Sequence, residues 1–434
     1  MWRQVLKALP VQTLARVLEA LWPFLLAAWF GAGRATDMYY GAQAASLLVV
    51  ALAAGAFQDS AVVPRLARAR AQGGSAEEAS VMASLTTIAA RLGAGIALLF
   101  LLLGGAYLRW AFDASMADAL RFVMPFALCA PLMTFRSLWV ASAQSRGALS
   151  VAPLATALSV ALSTLFVLCT RTGMGVSSVP MALFLGEGAS AALAGLFASR
   201  AGIALGRWGD ASHPDARALV RLVGSEVLGG AVTRVNPVID QACVRVLGVA
   251  GAVTHVKYAS DIAGVPSSVV GSAILPVVFL SLSAAYARSD GAEFRRTTAR
   301  AAWQLTGLLT VACALIYIAR APLIEMLFGH GKMLPSDVAA MSALLPWGLA
   351  NAVPLGLMML YVRANIALSQ SGIMWRVGLL NAGLNVLFDV LLGKLWGVGG
   401  VVLGTAVTHA VIALVLYTHY RRARVLLHSP PASV

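Results

Sequence analysis

Charge is what this sequence has least of. Only 12% of its 434 residues are Asp, Glu, Lys or Arg, about half the density of a soluble domain. So thin a polar inventory cannot cover a globule of this length, which excludes an ordinary water-soluble protein. Long polar stretches are missing too. The longest, near residues 65–80, 200–217 and 286–300, are too short to hold a soluble enzyme domain. Four cysteines (Cys129, Cys169, Cys243, Cys313) sit singly in apolar runs without disulfide or metal spacing, so they read as small core residues. There is no Walker A, HExxH, GxSxG or CxxC motif, which excludes an ATP-driven pump within this chain and argues against an enzyme. Basic residues outnumber acidic ones 32 to 18, yet they form no soluble basic face, so a nucleic-acid partner is not expected.

What fills the chain is apolar. Hydrophobic residues make up 59% of it and mean hydropathy is +0.81. Apolar runs of about 20 residues, the length that crosses a bilayer, recur from end to end. About twelve spans are read on this length criterion, at residues 11–30, 38–62, 81–106, 118–142, 149–170, 179–200, 218–247, 255–285, 301–320, 338–362, 374–393 and 397–420. They are long, continuous and without period-2 alternation, so they read as helices and not as a membrane barrel. The 40 glycines permit close helix approach where lipid supplies no hydrophobic drive. Prolines inside the spans mark kinks. The first apolar run leads into the turn GAGRATD, residues 31–37, with no small-residue cleavage site, so it reads as a span and not a cleavable leader.

Arginines cluster in alternate connections: Arg65, Arg68 and Arg70; Arg146; Arg200, Arg207 and Arg217; Arg288, Arg295, Arg296 and Arg300; Arg421, Arg422 and Arg424. The positive-inside rule then expects both termini in the cytoplasm. Loops this short and no ATP-binding motif make transport the leading class.

Ionisable residues inside spans are costly in lipid unless they face a cavity or a partner. Arg16 and Glu19 share one helix face: they read either as an ion pair at a helix end or as part of an internal anion-binding cavity. Arg91, Arg136, Glu187, Glu226, Arg234, Asp240, Arg245, Lys257, Asp261 and Arg363 also fall within or at the ends of spans. Asn381, Asn385 and Asp389 are spaced four apart, which stacks three oxygen-bearing side chains on one helix face. With Thr405 nearby and a second carboxylate, the ladder suits a small hard cation, sodium or a proton. Its other reading is a hydrogen-bond network that only joins helices.

Three segments carry a resemblance: FGAGRATDMYY with GAFQDSAVVPRLAR (30–40, 55–68); NPVIDQACVRVLGVAGAVTHVKYASDIAGVPSSVVGSAILPVVFLSLSAAYAR (236–288); and MLFGHGKMLPSDVAAMSALLPWGLANAVPLGLMMLYVRA with NVLFDVLLGKLWGVGGVVLGTAVTHA (326–364, 385–410). In order and spacing the chain resembles the MviN/MurJ family of lipid II flippases, within the multidrug/oligosaccharidyl-lipid/polysaccharide exporter superfamily. The resemblance implies an all-α integral membrane protein with two pseudo-symmetric six-helix lobes, here 1–205 and 206–434, around a central cavity. It implies alternating access of a lipid-linked pyrophosphate headgroup in the bacterial cytoplasmic membrane. The family typically has a further pair of spans that forms a groove for the lipid tail, and about twelve are read here.

The resemblance also implies a sodium site at Asp240, Asn385, Asp389, the Val401 carbonyl and Thr405, and no other cofactor. For the substrate cavity, Arg16 matches the first of the family's arginines. The others fall on Trp22, on Val49 and Val50, and on Asp261. Losing bidentate donors weakens a diphosphate site, so Arg91, Arg136, Arg234 and Arg363 are the candidate replacements, or the cargo differs. The expected function is therefore a flippase for lipid II or another lipid-linked saccharide of the envelope, working beside envelope or polysaccharide biosynthesis enzymes. The alternatives are a cation-coupled drug exporter of the same superfamily and a non-transporting scaffold for envelope assembly.

Overall fold

The computed structural model describes residues 2–55, 57, 59–148, 150–206, 208–211, 213–214 and 234–423, and among them there is no strand. Part of the span expected at 218–247 lies outside the described residues. The chain divides into two compact units, Met1–Phe30 with Met38–Val235, and Gly31–Asp37 with Asn236–Val434.

The first unit holds α1 (Trp2–Phe30), α2 (Arg34–Gly55), whose first turn groups with the other unit, α3 (Asp59–Phe112), α4 (Met116–Ser145), α5 (Val151–Met174) and α6 (Ser178–Arg200). Its main packing pairs are α3 with α4, α5 with α6, α4 with α6 and α1 with α5. A core of Leu66, Val81, Met82, Leu85, Leu138, Val151 and Ala194 fills the space where α3, α4, the start of α5 and α6 meet. The second unit holds α7 (Asn236–Leu247), α8 (Ala252–Val269), a π turn (Val270–Ile274), α9 (Leu275–Ala287), α10 (Gly291–Ile318), α11 (Arg320–Phe328), α12 (Pro335–Leu349), α13 (Ala352–Ala367) and α14 (Met374–Ala423).

Among the described residues, seven apolar helical stretches are long enough to cross a bilayer, and three of them run 49 to 51 residues. At 1.5 Å per residue such lengths are about twice a bilayer core. Each contains a glycine with positive φ: Gly74 at 68°, Gly175 at 60° and Gly397 at 60°. That backbone region is open to glycine without a Cβ penalty, so these residues break the long runs. The surfaces left over are those of a protein dissolved in lipid. Trp303, Val249, Ile318 and Trp110 are 75–80% exposed, in a pattern that water would not tolerate over so large an area. The chain is an all-helical, multi-pass membrane protein.

Three expectations shift. The span read at 38–62 stops at Gly55, and α3 starts at Asp59. The span read at 338–362 is two helices that meet at Ala350 and Asn351; Pro354 lies in the first turn of α13, where its missing N–H leaves no gap in the ladder. Cys169 is exposed, not a core residue, since a thiol facing lipid costs little.

The GAGRATD turn is also more than an edge. Asp37 is 1% exposed and caps α8, accepting from the Gly251 N–H at 2.7 Å, the Thr254 N–H at 2.9 Å and the Thr254 hydroxyl at 2.7 Å. A carboxylate suits the start of a helix, where N–H groups lack partners. Gly31 (φ 69°) lies so close to the Lys332 carbonyl that a Cβ would stand 2.6 Å from its oxygen.

Candidate functional site

Polar residues of the second unit converge on Asp240, in α7. The Asn385 carboxamide, on α14, donates to Asp240 Oδ1 at 2.5 Å and to Asp389 Oδ2 at 3.0 Å. The Thr405 hydroxyl donates to Asp240 Oδ2 at 3.3 Å. The kink at Trp396 and Gly397 makes this possible, because it folds α14 back on itself. The two halves then touch at Gly404, where a Cβ would stand 2.6 Å from Asp389 Oδ1, and at Gly400, where it would stand 2.0 Å from the Leu392 carbonyl. Small residues at these two positions are what let Asp389 and Thr405 share one site.

Asn385 and Asp389 are fully buried, and Val401 is 1% exposed. Asp240 and Thr405 open, with Val401, on a cavity of about 180 Å³ that also meets Ser260 and Asn351. Asn385 Oδ1 and Asp389 Oδ1 are buried without a hydrogen-bond partner among the described residues. The described ion pairs supply neither carboxylate with a basic partner. A fully buried carboxylate joined through one amide to a half-buried one calls for a counter-charge, either a cation or a shared proton. The donors are oxygens from carboxylates, a carboxamide and a hydroxyl, a set that fits a hard cation. Among the described residues no group of three His, Cys, Asp or Glu could hold a metal; the candidate set has two carboxylates and takes its other oxygens from neutral groups.

The first unit carries a second polar cavity, of about 330 Å³, lined by Glu19, Trp22, Arg136, Thr156, Ser159 and Glu187 among others. Arg136 and Glu187 form an ion pair between α4 and α6, with side chains 24% and 10% exposed. The Trp22 indole N–H is buried there without a partner among the described residues.

A family model for the lipid II flippase MurJ matches residues 26–431. This chain belongs to the MurJ lipid II flippase family. It is thus a transporter-family member of the lipid II flippase type, consistent with the absence of enzyme motifs. No curated protein matches it in sequence. Among solved structures it is similar to a lipid II flippase MurJ in an inward closed conformation, with TM-score 0.77 and 16% identity, covering 97% of this chain and 90% of that one. It is equally similar in fold to an inward-facing multidrug resistance MATE family transporter of the MOP superfamily, with TM-score 0.77, 15% identity and coverage of 97% and 96%. A MOP superfamily transporter from Pyrococcus furiosus follows at TM-score 0.63 and 15% identity, over 98% of this chain and 94% of that one. At such identities these likenesses speak for the fold alone.

The residues expected at the substrate cavity, and the arginines expected as replacements, are distributed as follows. The Arg16 side chain lies outside the described residues. Trp22 and Arg136 meet in the first unit's cavity. Val49 is 3% exposed and packs in the core, Val50 is half-buried, and Arg91 is exposed. Asp261 is held by Lys257 one turn away, at 2.5 and 2.6 Å. Arg363 donates to the Gly271 carbonyl in the π turn at 3.3 Å. Arg234 is exposed just before α7. Arg136 is therefore tied to a carboxylate, and Arg363 to a backbone carbonyl. The sequence reading gave no partner for Glu187, and no periodic pattern links it to Arg136, 51 residues away. It also missed the pair of His255 with Asp337 at 2.9 Å.

Proposed function

We propose that this protein moves a lipid-linked saccharide precursor, lipid II or a related envelope glycolipid, across the bacterial cytoplasmic membrane by alternating access. In this reading about twelve helices form two six-helix lobes, 1–205 and 206–434, that rock around a central cavity, with both termini cytoplasmic. Sodium would be held by Asp240, Asn385, Asp389, the Val401 carbonyl and Thr405, and would supply the positive charge that two carboxylates lack. Asn385 orients both carboxylates through one amide, and Asp389, shut away from solvent, adds the second oxygen pair. The observation that carries the coupling is this convergence of oxygens from α7 and both halves of α14. Envelope or polysaccharide biosynthesis enzymes are the expected partners.

The test is rescue of cells depleted of their own lipid II flippase. The wild-type gene should restore growth, and Asp389→Ala should not, at equal membrane abundance. Failure of a well-expressed wild-type protein to rescue removes lipid II as the cargo.

A second reading has its own support. By the resemblance, arginine positions of the family are filled here by Trp22, Val49, Val50 and Asp261, and the described lining of the first unit's cavity includes Glu19, Glu187 and Arg136. Replacement of those arginines favours cargo without a diphosphate, as in a cation-coupled exporter of amphiphiles. Protection of cells against cationic dyes, with no rescue of lipid II export, would select it. A scaffold role predicts full function with Asp240 and Asp389 both replaced.

A further inference from the structure

Beside the Asp240–Asp389 pair lies a second set of oxygens that nothing described so far employs. Asn236 Oδ1, Asn381 Oδ1 and Thr408 Oγ1 are each buried without a hydrogen-bond partner among the described residues. The residues are 6%, 6% and 0% exposed. A buried, unpaired polar atom costs free energy, so three in one neighbourhood call for an occupant.

Their placement is ordered. Asn236 precedes Asp240 by four residues, Asn381 precedes Asn385 by four, and Thr408 follows Thr405 by three. The helix directions follow from packing. Asp240 touches Asn385, and further on Leu247 abuts Gly393, so α7 and the first half of α14 run parallel. Asp389 abuts Gly404 and Leu392 abuts Gly400, so the second half of α14 runs back. Stepping back along α7 and the first half, and forward along the second, therefore leads to the same side. Each orphan oxygen stands one helical turn, about 4.5–6 Å, from its counterpart in the candidate site. It does so toward the end where α14 finishes at Arg421 and Arg422.

We propose that Asn236, Asn381 and Thr408 form an access layer through which a small monovalent cation, partly stripped of water, passes between solvent and the Asp240–Asp389 pair. The layer rests on the reading of that pair as a cation site. Among the described residues it is formed by three neutral oxygens, without a carboxylate. It can replace part of a hydration shell without trapping the ion, which is what passage requires: enough attraction to enter and too little to stay. The pair beyond it, with two carboxylates, is where the ion rests. These residues are positioning residues for the ion's path and set how fast it exchanges.

The experiment reads sodium itself. Exchange of Na⁺ on the purified full-length protein is measured by ²³Na NMR line shapes, and affinity by sodium titration of the thermal unfolding midpoint, with choline chloride holding ionic strength. Thr408→Val and Asn381→Leu should each slow binding and release together by about tenfold, a barrier increase of about 1.4 kcal/mol, with affinity changed less than about threefold, since both end states are kept. Thr408→Val removes a hydroxyl without a partner, so its midpoint in choline should not fall. Thr408→Ser keeps the oxygen and should exchange at the wild-type rate. Unchanged exchange in both folded variants overturns the access layer, as does a loss of affinity carried wholly by faster release, the behaviour of a direct ligand. The underlying cation site fails in a different way: the wild-type protein then shows no sodium response that Asp389→Asn removes.

Discussion

Gly404 gives the sharpest test of how the candidate site is built. A Cβ there would stand 2.6 Å from Asp389 Oδ1, 3.0 Å from the Asp389 backbone nitrogen and 3.1 Å from the Phe388 carbonyl carbon, where ordinary contact begins at 3.4 Å. Gly404→Ala must therefore part the two halves of α14 by about 0.4 Å, and shift the carboxylate by about 0.8 Å, before the contacts become ordinary. Overpacking of this kind costs about 1–3 kcal/mol, and the gain from replacing a helical glycine by alanine is about 1 kcal/mol. The net expectation is a loss of up to about 2 kcal/mol. The effect on the ion should be larger than the effect on the fold, because productive geometry at a site is held to about 0.5 Å. Gly383→Ala is the control. It lies on the same helix with nothing within 4 Å of the added carbon, so it should be neutral or gain up to about 1 kcal/mol. Thermal unfolding of both variants in detergent, in choline chloride and then in sodium chloride, measures both effects. If Gly404→Ala matches Gly383→Ala in stability and keeps the wild-type sodium shift, the contact between the halves of α14 does not shape the site.

Two further outcomes follow from the first unit. Arg136→Ala or Glu187→Ala alone should cost about 3–5 kcal/mol by leaving a largely buried charge unpaired, whereas Arg136→Met with Glu187→Leu should recover most of it; a double variant as unstable as the two losses summed contradicts the pairing. Glu78 lies in the arginine-rich connection ahead of the apolar part of α3, accepting from Arg70 Nε at 3.0 Å and from Arg146 at 2.5 Å. Burial raises its pKa, but the two guanidiniums outweigh this and hold it below the ordinary glutamate value. A depressed folded-state pKa means its contribution is fully present above that value and is lost as pH falls through the lower one. Stability measured from pH 6 downward, a window set by that shift, should decline less steeply for Glu78→Gln than for the wild-type protein. Equal slopes would remove Glu78 from the acid response.

The Asn381, Asn385 and Asp389 ladder was legible because helical periodicity is a local property. Four-residue spacing puts side chains on one face whatever surrounds them. Arg136 was visible as costly charge in a span, but not its partner, and Asp37 was legible as a turn residue but not as the cap of α8, 217 positions from Thr254. Periodicity carries no information about contacts between distant helices.

The sequence by itself determined the solvent and the element type. With 12% charged residues and 59% hydrophobic, the backbone must satisfy its own hydrogen bonds in lipid, and continuous apolar runs do so as helices. It also determined which residues carry oxygen or charge inside those helices. Only the tertiary structure decided which of them meet. Asp240 reaches Asn385 across 145 residues and Thr405 across 165, because Gly397 turns α14 back and Gly400 and Gly404 let its halves close. Burial then separates Asp389, sealed from solvent, from Asp240, which opens on a cavity. That difference comes from packing among α7, α8 and α14, and no single helix contains it.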